Sequence, residues 1–252
     1  MKDVFPINYD LEFEPDFKKF TFSGREKISI KVSRPTNKIV LHAAELEIKQ
    51  CKISWNGTEI KPKPRLDEKT EELTLTFSQK ISGKAVLSID FIGQLNDKLV
   101  GFYRSKYKYN GKEKHLATTQ FEAADARRAF PCWDEPEAKA TFDVSLLVDK
   151  HHTAISNMPI TSKKTIGQKI LYKFDTTPIM STYLLYLAVG EFESISTKSG
   201  KTLIRVITTQ GKTRQGKLSL EFTKQFLSYF EKYFKIAYPL PKLDMIAIPD
   251  FA

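Results

Sequence analysis

Apolar and polar residues alternate along most of the first part of the chain, which is the pattern of strands with one buried and one solvated face. Ile28, Ile30 and Val32, for example, are separated by polar residues. The alternation slips by one residue between Ile48 and Cys51, which predicts a β-bulge or a corner there. The pattern therefore predicts a mainly β protein built from antiparallel strands.

Two Asn-Gly pairs separate strand-like runs and predict tight hairpins. Asn56-Gly57 and Asn110-Gly111 are the residues that a two-residue hairpin turn prefers. We interpret Asn56-Gly57-Thr58 as such a turn rather than as a glycosylation site. Further strands are expected at residues 141–148, 154–156, 169–174, 183–192 and 203–208.

One long amphipathic helix is predicted after Gly211. Its apolar residues recur at spacings of three and four, and they are Leu218, Phe222, Phe226, Tyr229, Phe230 and Tyr233. We expect this aromatic stripe to pack against a core. Pro239 and Pro241 end the helix, and residues 243–248 predict a short strand. The strand at residues 203–208, this helix and the strand at 243–248 cannot by themselves bury both faces of a sheet. We therefore interpret them as the first elements of an α/β unit.

The composition is that of a folded protein with a substantial core. The chain has 252 residues, of which 41% are hydrophobic, and its 18 Phe and 10 Tyr favour sheet over helix. It contains neither a signal-peptide core nor an apolar run of about 18 residues, so we expect a soluble, cytoplasmic protein without membrane contacts. Cys51 and Cys132 match no metal-ligand spacing and are interpreted as reduced thiols, with a disulfide left open.

The formal net charge of +10 raises the possibility of nucleic-acid binding. The lysines, however, are interleaved with acidic residues and form no basic block. No nucleic-acid recognition motif accompanies the charge. We therefore interpret the lysines as a solvated surface and expect no nucleic-acid partner.

The usual catalytic motifs do not occur in the sequence. There is no Gly-x-Ser-x-Gly elbow and no Gly-x-Gly-x-x-Gly turn. His151 and His152 are adjacent, which on a strand would point them to opposite faces, and His42 and His115 are isolated. Because a metal site needs convergent ligands, we predict none in this chain.

The chemically densest stretch runs from Thr118 to Phe142, TTQFEAADARRAFPCWDEPEAKATF. Gln120 and Glu122 lie two residues apart, which on an extended strand places both side chains on one face. An amide oxygen and a carboxylate so placed could hold an ammonium group. Residues 123–130 favour one or two helical turns that end at Pro131.

This block, extended to DVSL, resembles the N-terminal domain of the zinc aminopeptidases of the gluzincin type, nearest to their puromycin-sensitive (alanyl) branch. Four more segments occur in the order that the family shows them, so the resemblance covers essentially the whole chain. They are PINYDLEFEPDFKKFTFSG, residues 155–159 (ISNMP), residues 177–184 (TPIMSTYL) and YFKIAYPLPKLDMIAIPDFA.

The resemblance implies a saddle-like antiparallel β-sheet domain over residues 1–195. Residues 196–252 would then form the opening β-α-β elements of a thermolysin-like α/β domain. In the family, the residues that match Gln120 and Glu122 line the pocket for the free α-amine of a peptide. Four other matching residues are interpreted as a structural ion network beside Pro131, and they are Arg127, Arg128, Asp134 and Glu135.

The resemblance also implies a zinc ion, but only for the full-length enzyme. In the family a Gly-Ala-Met-Glu-Asn segment follows PDFA, and a His-Glu-x-x-His helix with a distant glutamate binds the metal. None of these segments is in the present sequence. This chain is therefore expected to contain no catalytic residue and no metal ligand, and to be inactive alone.

Two functional hypotheses from different classes follow. The first is the N-terminal fragment of a zinc-dependent aminopeptidase, with peptides bearing a free N-terminus and the remainder of the catalytic domain as partners. The second is a non-catalytic protein-interaction scaffold of the same fold, which predicts no exposed apolar face along the last helix. A nucleic-acid binder, with steep salt dependence, is the weakest alternative.

Overall fold

The computed structural model describes residues 3–250, which form sixteen strands, three 3-10 helices and one α-helix. The first eight strands are β1 (Val4–Asp16), β2 (Thr21–His42), β3 (Leu46–Trp55), β4 (Thr58–Ile60), β5 (Lys63–Asp67), β6 (Glu72–Gln94), β7 (Gly101–Tyr109) and β8 (Lys112–Gln120). The other eight are β9 (Thr141–Asp149), β10 (Thr153–Ser156), β11 (Ile160–Ile166), β12 (Lys169–Phe174), β13 (Leu187–Gly190), β14 (Phe192–Ser199), β15 (Thr202–Thr209) and β16 (Lys242–Ile246). The helix α1 spans Lys217–Phe234, and the 3-10 helices span Ala126–Arg128, Thr182–Leu184 and Thr213–Gly216. The predicted mainly β fold is confirmed.

The largest sheet has nine strands in the order β11-β12-β9-β1-β2-β6-β3-β4, with β5 added on β6. All neighbours in it are antiparallel except β1 and β9, which run parallel. The expected bulge is present, because the register between β3 and β6 shifts between Ile48 and Gln50. This sheet contributes most of the main hydrophobic core.

Aromatic rings lie across glycines at the centre of this sheet. Gly24 on β2 is paired with Phe91 on β6, and a Cβ added at Gly24 would lie 2.2 Å from the Phe91 ring. Two residue pairs along, Phe22 covers Gly93 in the same way. A side chain at either glycine would displace the ring, so these positions allow the two strands to pack their aromatic residues inside the core.

A second, four-stranded antiparallel sheet, in the order β10-β13-β8-β7, carries the start of the dense block. Both predicted hairpin turns are confirmed. Asn56-Gly57 joins β3 to β4 with φ of 49° and 76°, and Asn110-Gly111 joins β7 to β8 with φ of 49° and 74°. Positive φ at both positions is what this turn requires.

The third sheet is β14-β15-β16, in which β15 and β16 are parallel and α1 forms the connection between them. The predicted β-α-β opening is therefore present. The predicted burial of its aromatic stripe is wrong, because Phe226 is 56% exposed and Tyr233 is 66% exposed. The helix instead packs on β14 and β15 through a narrower face that includes the buried Leu227. The aromatic face has no covering layer among residues 3–250.

Two strand predictions are corrected. The expected strand at residues 183–192 is a 3-10 turn followed by β13 and β14, because the chain passes from the second sheet to the third near Glu191. The exposed strand β11 was missed, since a strand with almost no buried side chain shows no alternation. The strand β14 spans residue 195, and the proposed domain boundary there stays a prediction.

Cys51 and Cys132 are both buried free thiols, so the structure contains no disulfide bond between them. Among residues 3–250, no helix has the length and apolar character needed to cross a membrane.

A candidate amine-binding site at the end of strand β8

Gln120 is the last residue of β8 and is paired with Gly101 of β7. Its side chain is half-buried, whereas that of Glu122 is exposed. The chain leaves the strand after Gln120, and the Glu122–Ala123 peptide bond is cis. The expectation that both residues lie on one extended strand is therefore wrong. Glu122 lies in the turn that follows the strand, so strand alternation does not set its direction.

The end of β8, just before Gln120, is linked to the neighbouring segment, residues 186–187, by buried hydroxyl groups. The hydroxyl of Thr119 accepts a hydrogen bond from the Leu187 backbone N–H at 2.9 Å. The hydroxyls of Thr118 and Tyr186 lie 2.9 Å apart. Both threonines are buried, so these bonds are shielded from water and fix the end of β8 to the start of β13.

Asn157 extends this support to a third segment. Its side-chain carbonyl accepts the Tyr186 N–H at 2.8 Å, and its side-chain amide donates to the Leu184 carbonyl at 2.8 Å. Asn157 belongs to the ISNMP segment and Leu184 to the TPIMSTYL segment. The structure thus brings two segments that carried the family resemblance to the strand that ends at Gln120.

The residues after Glu122 form a short 3-10 helix, Ala126–Arg128, rather than one or two α-helical turns. Arg127 donates to Asp134 at 3.1 Å and to Glu71 at 3.0 Å, and Arg128 donates to Asp125 at 2.8 Å. Burial opposes the charge of both guanidinium groups, but the carboxylates around them outweigh it and raise the pKa of both. The predicted ion network is confirmed for Arg127, Arg128 and Asp134.

The Pro-Cys-Trp corner is tied to the large sheet by its backbone. Cys132 and His42 exchange two backbone hydrogen bonds, of 2.7 and 3.0 Å. The Trp133 N–H donates to the buried Tyr9 hydroxyl at 3.2 Å. The block therefore joins the two larger sheets, and the turn that carries Glu122 is held at both of its ends.

A buried ion cluster beside the same strands was not predicted. Asp244 of β16 accepts two hydrogen bonds from Arg205, at 2.7 and 2.6 Å, and pairs with the ammonium of Lys242. Burial raises the pKa of Asp244, but Arg205 and Lys242 outweigh that effect and lower it. Lys242 also donates to the Ser156 carbonyl at 2.7 Å, which connects the third sheet to β10. The sequence did contain one indication of this cluster, because Lys242 and Asp244 lie two residues apart on a short apolar strand and so share a face.

This cluster borders a cavity of about 310 Å³ between the second and third sheets. Its lining includes Asn157 and Tyr186, and the Tyr186 hydroxyl contacts Thr118 of β8, so the cavity lies near the end of the strand that carries Gln120. On the opposite side of the hairpin, Asp250 is held on β7, where the Tyr103 hydroxyl donates to its carbonyl at 2.9 Å. The third sheet and the segment that follows it therefore contact the second sheet at two places, Ser156 of β10 and Tyr103 of β7.

The side chains of Gln120 and Glu122 make no hydrogen bond or ion pair within residues 3–250. Many other polar groups near the turn, by contrast, are engaged in the contacts described above. An ammonium carries three donors and one positive charge, and a carboxylate with an amide oxygen can satisfy them. The end of β8 therefore presents a candidate site for a primary amine.

The residues present do not fit the zinc site of the gluzincin aminopeptidases. The only α-helix in the described range, α1, contains no histidine, and the sequence contains no His-Glu-x-x-His motif. His151 and His152 lie in a turn rather than on a strand, with ring centroids 4.0 Å apart, so the expectation that they point to opposite faces is wrong.

The structure is a large β-sheet domain joined to a β-α-β unit. The family model described as Peptidase M1 N-terminal domain matches residues 5–184, and the chain belongs to this family.

Several curated relatives are aminopeptidases. The chain is 45% identical over 251 residues to Aminopeptidase M1-B of Oryza sativa subsp. japonica, which covers 98% of this chain and 28% of the relative. It is 43% identical to Aminopeptidase M1 of Arabidopsis thaliana, covering 100% of this chain and 29% of the relative. It is 43% identical to Puromycin-sensitive aminopeptidase of Caenorhabditis elegans, covering 98% and 27%. The chain thus spans less than a third of each relative.

Proposed function

We propose that this chain is the N-terminal part of a zinc-dependent aminopeptidase and that Gln120 and Glu122 anchor the α-amine of the peptide substrate. The observation that carries the proposal is that the side chains of Gln120 and Glu122, at the end of a strand held by buried hydrogen bonds, make no hydrogen bond or ion pair within residues 3–250. Family membership and the names of the relatives support the reaction class.

An amine anchor explains removal of single residues from peptide N-termini. If the terminal ammonium is held by Glu122 and Gln120, the first peptide bond lies at a fixed distance from the anchor. A group that cleaves at that distance then removes one residue at a time. The partners of the site are therefore peptides with a free N-terminus.

The reaction needs groups that this chain does not contain. Zinc supplies a Lewis acid and an activated water when it is bound, and its ligands together with a general base would come from the remainder of the catalytic domain. The present chain would supply the anchor only and be inactive alone. A cytoplasmic location is retained as a prediction and is consistent with two unpaired thiols.

The aromatic face of α1 favours the enzyme over the alternative. A stand-alone interaction scaffold of this fold would bury the apolar residues of its last helix. Instead Phe222, Phe226 and Tyr233 are exposed, together with neighbouring aromatic residues. A contiguous apolar face is the surface on which further elements of a thermolysin-like domain would pack.

The anchor is tested by Glu122→Ala in the complete enzyme. Hydrogen bonds to charged groups contribute about 1.5–3 kcal/mol, so we expect kcat/KM to fall by about 10- to 150-fold. Glu122→Gln, which keeps an acceptor and removes the charge, should lose less. Glu68→Ala removes another exposed carboxylate, from the turn between β5 and β6, and serves as the control. An unchanged kcat/KM in Glu122→Ala would show that the anchor lies elsewhere.

The proposed longer enzyme is tested separately by reading the coding sequence beyond Ala252. A Gly-x-Met-Glu-Asn segment and a His-Glu-x-x-His helix are expected. A stop codon followed by unrelated sequence would support the scaffold instead.

A further inference from the structure

The turn between β9 and β10 brings two histidines and a carboxylate together. Asp149 ends β9, and its carbonyl accepts the His152 N–H at 2.9 Å, which closes the turn. Asp149, His151 and His152 each offer one ligand atom, and these three atoms lie within 4.8 Å of one another. No other group of three or more potential metal-ligating residues, counting His, Cys, Asp and Glu, converges in this way within residues 3–250.

The turn is held by strand pairing on both sides. Asp149 is paired with Lys169 of β12, and Thr153, which begins β10, is paired with Gly190 of β13. His152 is only 8% exposed, and its ring packs against that of Phe17 with centroids 4.7 Å apart. His151 is exposed. One imidazole is therefore fixed by packing, and the other is open to an ion arriving from solvent.

Imidazole nitrogen and carboxylate oxygen are ligands for divalent transition metals such as Zn²⁺, Co²⁺, Ni²⁺ and Cu²⁺. In a tetrahedral site, ligand atoms about 2.0–2.1 Å from the ion are about 3.4 Å apart, so each pair in the cluster must approach by up to about 1.4 Å. Rotation of the exposed His151 side chain and of the partly exposed Asp149 carboxylate would supply this movement while His152 stays in place. We propose that Asp149, His151 and His152 bind one divalent transition-metal ion, with water in the remaining coordination positions.

The charged neighbours are compatible with an ion at this position. Lys169 Nζ lies 4.0 Å from Asp149 Oδ1 but makes its closer ion pair with Glu14, at 2.6 Å. Lys114, which faces the turn from β8, is paired with Glu191 at 2.7 Å.

The site lies away from the candidate amine anchor. Val189 of β13 is paired with Ala117 of β8, which places Gly190 beside Leu116, four residues before Gln120 and about 13 Å from it along the strand. The ligands lie between the end of β9, in the nine-stranded sheet, and the start of β10, in the four-stranded sheet. A bound ion would therefore connect the two sheets and raise the free energy of unfolding.

The test uses the 252-residue chain without a histidine tag, stripped of metal with a chelator. Calorimetric titration with Zn²⁺ should show that one equivalent binds. Titration with Co²⁺ should change the visible absorption spectrum of the cobalt ion. His151→Ala and Asp149→Asn should each weaken binding by at least about tenfold, since each removes a ligand. His115→Ala removes a histidine outside the cluster and should bind as the unchanged chain does. Excess Zn²⁺ should raise the melting temperature of the unchanged chain and not that of His151→Ala.

The role of the buried His152 is tested by NMR on the unchanged chain, because replacing this residue would disturb the packing of the turn. Paramagnetic Ni²⁺ should broaden the ring proton signals of His151 and His152 and leave those of His115 sharp. The proposal is overturned if no stoichiometric ion binds, if Asp149→Asn and His151→Ala bind as tightly as the unchanged chain, or if His115 is broadened equally.

Discussion

The two parts of the molecule use aromatic residues in opposite ways. In the larger part, residues 3–190, which contains the two larger sheets, Phe13 and Phe130 are completely buried and their ring centroids lie 6.3 Å apart. In the third sheet, within residues 192–250, Phe226 and its neighbours on α1 face outward. Both segments show clear apolar periodicity, but within residues 3–250 the aromatic face of α1 has no layer that covers it. Periodicity thus identifies a face that is suited to burial, and the tertiary structure decides whether anything covers it.

The largest expected effect comes from the same substitution made in both parts. Phe130→Ala leaves a cavity among Tyr9, Phe13 and Phe121 and should lower the free energy of unfolding by about 3–5 kcal/mol. Phe226→Ala should change it by less than about 0.5 kcal/mol. Urea unfolding followed by circular dichroism compares the two, and the fluorescence of Trp55 and Trp133 reports on the larger part alone. Equal losses would remove the distinction between the parts.

The ion network at the block should show the next largest effect. Arg127→Ala leaves the side chain of Asp134, which is 1% exposed, without its cation, and should cost about 3 kcal/mol. The remaining Thr182 hydroxyl, at 2.9 Å, compensates only in part. Arg25→Ala breaks the exposed pair with Glu12 and should cost about 0–1 kcal/mol. Thermal unfolding of both variants is the measurement, and similar shifts would show that the network does not stabilise the fold.

A buried carboxyl on β2 gives the larger part a pH dependence. Glu26 is 2% exposed, neither of its oxygens accepts a hydrogen bond within the described residues, and burial raises its pKa well above the ordinary value of 4.5. The folded state therefore holds a proton that the unfolded state releases. The stability associated with this group is fully present below pH 4.5 and is lost as pH rises toward the raised pKa, by about 1.4 kcal/mol per pH unit.

The comparison with Glu26→Gln isolates this effect. The variant cannot ionise at position 26, so its stability relative to the unchanged chain should rise as pH increases above 4.5. Burial raises the pKa of Cys51 to about 12 and also raises those of Cys132 and Tyr9, so these neighbours stay protonated in this range. Urea unfolding at several pH values is the measurement. Parallel profiles for the two proteins would mean that Glu26 is solvated in the folded state.

Local signals predicted much of the fold and part of the candidate site. Both Asn-Gly hairpins, the bulge after Ile48 and the helix α1 depend on residues close in sequence, and they were found. The direction of Glu122 was missed because it depends on where β8 ends. The pairing of Asp244 with Arg205 was missed because its partners come from different strands. These features depend on tertiary contacts, which periodicity does not encode.

The smallest expected change in stability tests the open face directly. Phe226→Lys replaces an outward side chain on α1, so we expect less than about 0.5 kcal/mol of destabilisation, whereas Leu227→Ala removes a buried contact of the same helix and should cost about 2 kcal/mol. Hydrogen exchange of the α1 amides measures both. Since an exposed apolar face favours association, Phe226→Lys should also reduce any concentration-dependent self-association in sedimentation. If Phe226→Lys instead opens the helix as much as Leu227→Ala does, the aromatic face is packed in solution, and the contrast between the two parts fails.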